Sequence, residues 1–499
     1  MKYVMGIDLG TSGVKAILVD ESGKVCCEAS KPYRLIQEKP GYCEQHPEDW
    51  VEQTIAVMKE LMAKQPVHSR QVEGISFSGQ MHGLVLLNES REVLRPAILW
   101  NDTRTTAQCE HMTKKLGDRL QKITKNQALE GFTLPKLLWV KEHEPHIDQQ
   151  IDMFLLPKDY VRFRLTGAVH IDYSDAAGTL LLNIGEQTWS EEICQAFDIS
   201  PHICPPLVTS EAEVGTLLPH IARDVGMKEG VKVFAGGADN ACGAIGAGIL
   251  SSDRTLCSIG TSGVILSYEE DHERELQGNL HLFHHAKKDA FYTMGVTLSA
   301  GYSLNWAKHL LAPEESFQSL LEGAAHVAPG AKGLLFTPYL VGERTPHADS
   351  IIRGSLIGLD SSHERAHVVR AVLEGITFSL NESIALFRQA GKNIDSIVSI
   401  GGGARSRTWL QMQADIFQAD VIQLDNEQGP ALGAAMLAAV GCGWYPSLEA
   451  CANQLIHQAA VYEPEQQHAE VYADLFHLYQ RIYTQTKDIH AGLKPYRSI

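Results

Sequence analysis

Short runs of apolar residues broken by polar, glycine-bearing turns mark both the start and the middle of the chain. Val4–Leu9 and Val14–Val19 flank Gly10-Thr11-Ser12-Gly13, and Val25–Ala29 follows a second turn, Asp20-Glu21-Ser22-Gly23. This spacing predicts a three-stranded meander. The pentapeptide Gly10-Thr11-Ser12-Gly13-Val14 recurs letter for letter as Gly260-Thr261-Ser262-Gly263-Val264, again between strand-like runs, Thr255–Ile259 and Val264–Tyr268. Longer periodic stretches predict helices over Pro47–Ala63, Thr105–Leu116, His363–Gln389 and Trp409–Gln418. Glycine-rich strand-to-helix junctions stand at Gly236-Gly237 and Gly401-Gly402-Gly403.

A repeated meander, followed each time by alternating helices and strands, predicts an α/β protein of two domains facing one another with ligand between them. The length of 499 residues agrees, because one core rarely grows to that size. The expected division is 1–248, 249–444 and a helical, amphipathic extension, 445–499, packed on the second domain.

Composition narrows the function classes. Hydrophobic residues make up 44 % and charged residues 21 %, as in ordinary globular proteins. A net charge of −17 argues against nucleic acid or an anionic membrane as partner, since the long-range field repels both. Any nucleotide must then be held by local devices such as backbone N–H groups, a metal ion and a few cations. The ten cysteines form no C-x-x-C pair, the first residues carry Asp8 where a signal peptide needs apolar ones, and no long apolar run occurs, so a cytoplasmic protein is expected.

Paired Gly-Thr-Ser-Gly turns can clamp a polyphosphate, because their N–H groups and hydroxyls are free to meet oxygens; one copy alone is more often a plain hairpin tip, and the duplication reverses that. Asp8 precedes the first copy where Ser258 precedes the second. A carboxylate beside a phosphate turn is repulsive unless it holds Mg²⁺ or metal-bound water, and the alternative is an Asp capping its own turn. No Gly-Lys-[Ser/Thr] P-loop and no dinucleotide fingerprint occur.

Asp239, at the turn Gly236-Gly237-Ala238-Asp239-Asn240, suits a base that takes a hydroxyl proton during phosphoryl transfer, and equally suits a helix N-cap. Gln80-Met81-His82 and Trp100-Asn101-Asp102 sit at strand ends, where polar groups and a flat ring can meet a polyol; His82 in a loop and Trp100 in a core are the plainer readings. His281-Leu282-Phe283-His284-His285 reads as a strand and not a metal site, and Gly342-Glu343-Arg344-Thr345-Pro346 as a loop with an exposed, ion-pair-capable dipeptide.

Taken together, these segments resemble the FGGY carbohydrate kinases. The likeness runs from Gly6-Ile7-Asp8-Leu9-Gly10-Thr11-Ser12 through Leu156-Pro157-Lys158-Asp159-Tyr160 and Ser174-Asp175-Ala176-Ala177-Gly178-Thr179 to Gly401-Gly402-Gly403-Ala404-Arg405-Ser406. The resemblance implies two actin-like, ribonuclease-H-like domains closing over ATP, Mg²⁺ and a five-carbon ketose such as D-xylulose. It makes Asp239 the catalytic base and Met81 and His82 the pentulose-binding pair, with Gln80, Trp100, Asn101, Asp102 and Asn240 as further sugar contacts. Asp8 falls on the metal side; Thr11, Ser12 and Gly13, with Gly260, Thr261 and Ser262, form the phosphate turns; Gly401, Gly402, Gly403 and Ala404 lie by the adenosine. Ala238 departs from the pattern, where related kinases often carry a third glycine. Kinases for ribulose, gluconate, fuculose, erythritol or glycerol share the scaffold, and an actin- or chaperone-like ATPase switch shares the phosphate turns. A homodimer is compatible with all of these readings.

Overall fold

Alternating apolar strands close two separate sheets, one in each half of the chain. The computed structural model describes residues 1–64, 71–274, 280–425 and 427–498. Strands β1 (Tyr3–Leu9), β2 (Gly13–Asp20) and β3 (Val25–Pro32) form the antiparallel meander, and β4 (Val72–Gly79) runs parallel to β1 on its other side. With β5 (Glu213–Thr216) and β6 (Lys232–Phe234) the order is β5-β6-β4-β1-β2-β3, and short β7 (Gly237–Ala238) also pairs with β4.

The second half repeats this plan. Its strands are β8 (Thr255–Ile259), β9 (Gly263–Glu269), β10 (His281–His284), β11 (Phe291–Thr297), β12 (Ser396–Gly401), β13 (Asp420–Leu424) and β14 (Gln458–Tyr462). They lie in the order β10-β11-β9-β8-β12-β13-β14, so the β8–β9 hairpin stands beside parallel β12 as the β1–β2 hairpin stands beside parallel β4. The repeated pentapeptide does not give identical turns. Leu9 pairs with Val14 in the first hairpin, whereas Ile259 pairs with Gly263 in the second, which makes the second tip one residue shorter.

Amphipathic helices cover the sheets. Helix α1 (Pro47–Lys64) buries Trp50, Val51, Thr54, Val57, Met58, Leu61 and Met62, a helical stripe, against β2 and β3. Helix α2 (Asp239–Gly246) begins at the candidate base itself. In the second half, α3 (Arg365–Gln389) and α4 (Arg407–Phe417) pack together, and α6 (Gln466–Leu493) lies on α4 with Tyr472, Tyr479 and Ile482 buried.

Helix α5 (Pro430–Gly441) is apolar on all sides, the pattern of an element buried all round. It crosses over to lie against β1, β4 and α2 of the first half. Two glycines permit that approach: a Cβ on Gly6 would stand 2.0 Å from Ala431 O, and one on Gly433 would stand 1.9 Å from Cys242 O. The core that includes Leu84, Phe132 and Ala241 therefore runs on through Leu282, Ala431 and Met436.

Candidate active site

Between the two sheets lies a cleft of about 250 Å³, lined from the first half by Met81, His82, Trp100 and Asp239 and from the second by Gly260, Ser262, Met294 and Arg344. Strand ends deliver most of these groups. Asp239 follows β7, Met81 and His82 follow β4, and Gly260 and Ser262 form the β8–β9 tip.

Asp239 sits at the first residue of α2, where its Oδ1 accepts from the Asn240 N–H at 2.7 Å and from Asn240 Nδ2 at 3.1 Å. Burial, and then the neighbouring charge of Asp8, raise its pKa to about 7. A carboxylate so poised takes a proton near neutral pH. Its turn is anchored from behind: Ala238 N–H donates to Ser174 Oγ at 2.9 Å, and Ser174 N–H donates to Asp172 at 2.8 Å. Buried Lys158 lies 2.6, 2.7 and 2.9 Å from the carboxylates of Asp159, Asp172 and Asp175, so a lysine already occupies the centre of that acidic group.

Asp8 has a buried Oδ1 with no hydrogen-bond partner among the described residues, and burial raises its pKa to about 6. An orphaned carboxylate oxygen next to a phosphate-type turn fits a Mg²⁺ ion or its bound water. The tip carrying Thr11, Ser12 and Gly13 is braced on three sides. Tyr33 Oη donates to Gly10 O at 2.6 Å, Gln45 Nε2 to Thr11 O at 2.8 Å, and Trp100 Nε1 to Thr11 Oγ1 at 2.8 Å.

His82 adopts a left-handed φ of 67°, uncommon for a residue with a side chain. Its Nδ1 lies 2.6 Å from Gly178 O, which can only accept, so Nδ1 carries the proton and Nε2 is left as a bare acceptor. Burial lowers its pKa to about 3, which keeps the ring neutral. Gly178 has to be glycine here, since its Cβ would fall 2.7 Å from His82 Nδ1. The His82 carbonyl accepts from Thr133 Oγ1 at 3.1 Å and from buried Lys136 Nζ at 3.0 Å. Asn240 Nδ2 approaches Met81 Sδ at 3.6 Å, linking the base to the 81–82 pair.

Other sequence candidates stand behind the cleft. Gln80 Nε2 donates to Gln45 Oε1 at 3.2 Å, and Gln45 in turn holds Thr11. Asp102 is turned inward, accepting from Cys43 N–H at 2.6 Å and pairing with Arg104 at 2.7 Å. Asn101 has a buried Oδ1 without a partner among the described residues, and neither it nor Asp102 lines the cleft.

A second cavity of about 1010 Å³ opens on the far side of the β8–β9 tip, where Gly260, Thr261, Gly402 and Gly403 meet Tyr302 and Phe317. It is large enough for a nucleoside. Gly401 has φ 83° and donates its N–H to Glu427, while Ala404 lines a separate small cavity with Gln423 and Glu427. Sequence reasoning did not single out Tyr302, Phe317, Phe132 or Met294, because an aromatic or Met in a helix or strand reads as core. It placed Arg344 in an exposed loop. Instead Glu343 is buried, accepting from Leu298 N–H at 3.0 Å and Arg344 N–H at 2.7 Å, and Arg344 lines the cleft.

Residues 3–246 match the N-terminal domain of the FGGY family of carbohydrate kinases, and residues 255–442 match its C-terminal domain. The chain belongs to the FGGY carbohydrate kinases. Among its FGGY relatives, the Xylulose kinase of Bacillus subtilis is 65 % identical over 497 residues, with 100 % of both chains covered. The Xylulose kinase of Escherichia coli is 40 % identical, over 96 % of this chain and 98 % of the other. The crystal structure of ligand bound xylulose kinase from Lactobacillus acidophilus superposes with TM-score 0.93 at 28 % identity, over 99 % of this chain and 100 % of that one. The two-domain α/β fold is thus that of the FGGY kinases. Among the described residues no helix is long and apolar enough to cross a membrane.

Proposed function

We propose that the protein transfers the γ-phosphoryl group of ATP to the terminal hydroxyl of D-xylulose, giving D-xylulose 5-phosphate and ADP. What carries this reading is the full-length, 65 % identity to a protein named Xylulose kinase, on a cleft that places Asp239 and His82 along one cavity. Asp239 accepts the hydroxyl proton as the oxygen bonds to phosphorus and the bond to the β-phosphate oxygen breaks. His82 Nε2 accepts from a sugar hydroxyl further along the cleft. Gly260 to Ser262, and Thr11 to Gly13 opposite, supply N–H groups and hydroxyls to the phosphates, and within the run Gly401 to Ala404 it is Gly402 and Gly403 that flank the nucleoside. Mg²⁺ bound with ATP would neutralise phosphate charge, and Asp8 would hold it.

Asn240 and Trp100 line the sugar side of the cleft, with Gln80, Asn101 and Asp102 behind it; Trp100 and Gln80 also brace Thr11 of the phosphate turn, and Asp102 fixes the loop after Trp100. As a division of the chain we propose 1–248, 249–444 and 445–499, with α5 as the element that crosses back. A cytoplasmic location fits the free cysteines, the acidic charge speaks against nucleic-acid partners, and a homodimer fits the exposed face of α6.

A coupled ADP-release assay with D-xylulose, ribulose, glycerol, gluconate and no sugar tests the reading. Gluconate is included because the crystal structure of gluconate kinase from Lactobacillus acidophilus superposes with TM-score 0.92 at 28 % identity. Preferential release with D-xylulose is the expected result. Faster release with another sugar would reassign the substrate, and sugar-independent release would point to an ATPase switch.

A further inference from the structure

Beyond the cleft, and sharing His82, Trp100, Met294 and Arg344 with it, lies a recess of about 10 Å³ closed by Gly131, Phe132, His281 and Phe283. That space admits roughly one oxygen-sized group. Phe132 lies with its ring centroid 4.7 Å from that of His82 and 5.8 Å from that of His281, so the walls between the polar groups are aromatic.

Asn126 Nδ2 donates to Leu282 O at 2.7 Å and to Thr124 O at 3.0 Å, which turns its Oδ1 toward His281 Nδ1 at 2.9 Å. Nδ1 of His281 must therefore carry the proton. Its Nε2 is a bare acceptor, buried and without a partner among the described residues, on a side chain only 3 % exposed. His82 Nε2 is an acceptor by the same argument from Gly178 O. Arg344 contributes donors only, and among the described residues its guanidinium makes no hydrogen bond or ion pair within bonding distance; Glu130 and Glu343 are the opposite charges that act on it. The recess thus offers two acceptors and one multiple donor, with no group able to do both.

We propose that this recess receives the C1 hydroxyl of the substrate with the ketone at its mouth, where it opens into the cleft: His281 Nε2 accepts the C1 hydroxyl, and the Arg344 guanidinium, shared by recess and cleft, donates to the C2 carbonyl oxygen. A hydroxymethyl ketone pairs a donor with an adjacent pure acceptor, which is the complement of this set. With His82 Nε2 engaged by a hydroxyl further along the cleft and His281 Nε2 by the C1 hydroxyl, the hydrogen of the O–H made by reducing the carbonyl finds no acceptor beside Arg344, so the corresponding polyols keep only part of this match. The small volume stops the chain at one carbinol beyond the carbonyl. Arg344 and His281 come from the second half of the chain and His82 from the first, so the same contacts tie sugar binding to the closed arrangement of the two halves. Arg344 and His281 are in this account specificity residues of the reaction proposed above, and the inference rests on that reading.

The test compares D-xylulose with its two C2-reduced polyols, xylitol and D-arabitol, by coupled ADP release in the wild type, Arg344→Met, Arg344→Lys and His281→Phe. Arg344→Met is expected to raise KM for D-xylulose by about 10- to 100-fold, the scale of a hydrogen bond to a charged group. It should affect the polyols far less, so that the ratio of kcat/KM for ketose over polyol falls about tenfold or more. Arg344→Lys should restore part of the ratio, and His281→Phe should raise KM for all three substrates, which share the C1 hydroxyl. Because the ratio does not depend on the fraction of folded enzyme, it is readable even from a poorly folding variant. An unchanged ratio in Arg344→Met, or an unchanged KM for D-xylulose in either Arg344→Met or His281→Phe, overturns the assignment. Failure of the wild type to use D-xylulose overturns instead the substrate reading.

Discussion

Replacing Asp239 by Asn keeps its size and leaves an amide oxygen to accept from the Asn240 N–H, while removing the proton acceptor. The expected loss in kcat is about 10²- to 10⁴-fold, the usual contribution of a positioned base. The pH dependence gives a second, independent number. Burial and the Asp8 charge place the Asp239 pKa at about 7 in the free enzyme, so wild-type kcat/KM should rise roughly ninefold between pH 6 and pH 8 as the ionised fraction grows from about a tenth to about nine tenths. In Asp239→Asn that rise should vanish. Stability should move the opposite way: a carboxyl whose pKa is raised on folding binds more protons folded than unfolded, so the wild type loses stability as pH climbs through the window between its unfolded value of 3.8 and about 7. The variant carries no such loss and should melt higher at pH 8, pairing lower activity with greater stability. Coupled ADP release gives the rates, and thermal unfolding with and without ATP gives the stability and shows that nucleotide still binds. Turnover within tenfold of wild type, or an unaltered acid limb, would refute the role of Asp239.

Four further buried histidines and contacts yield simpler tests. His82, His281, His284 and His285 have pKa values lowered by burial to about 3, 3, 4 and 3, so each is neutral when folded and takes up a proton when unfolded below its ordinary value of 6.5; stability should therefore fall as pH drops from 6.5 toward 4, by about 1.4 kcal/mol per pH unit for each, and removing His285 should flatten that slope in denaturant titrations. Gly433→Ala would force α5 away from Cys242 O, and a loss of about 1–3 kcal/mol, read as faster thermal inactivation, is expected for such overpacking. Trp100→Phe deletes the donor to Thr11 Oγ1 and should raise KM for ATP as well as for sugar by up to about tenfold, a hydrogen bond's worth, in steady-state kinetics; an effect confined to the sugar would separate Trp100 from the phosphate turn.

Local chemistry made some features legible in the sequence and left others out of reach. The β1–β2–β3 meander and the β8–β9 hairpin were readable because period-two alternation and Gly-Ser turns are written within a few residues. The repeat made a two-sheet plan readable too. Its one-residue difference in tip length was not, since the two pentapeptides are identical and only strand register separates them. Asp239 and His82 stood out as polar residues at strand ends. Arg344 and His281 did not, because what matters in them is a missing partner, and that depends on Asn126 and Glu343, which lie far off along the chain from His281 or are held by Leu298 and Ser379. Asp102 looked like a ligand for the same reason Asp239 did; only the tertiary structure reveals Arg104 and Cys43 N–H already on it.

The crossing of α5 bears on how the protein is made. Its seat on β1, β4 and α2 consists of residues translated in the first half of the chain, whereas Pro430–Gly441 is made only after β8 to β13 of the second sheet. Until then the first sheet keeps a long apolar face in water, the kind of surface on which nascent chains aggregate or recruit chaperones. The packing of the opening half is therefore complete only once that helix of the closing half is in place.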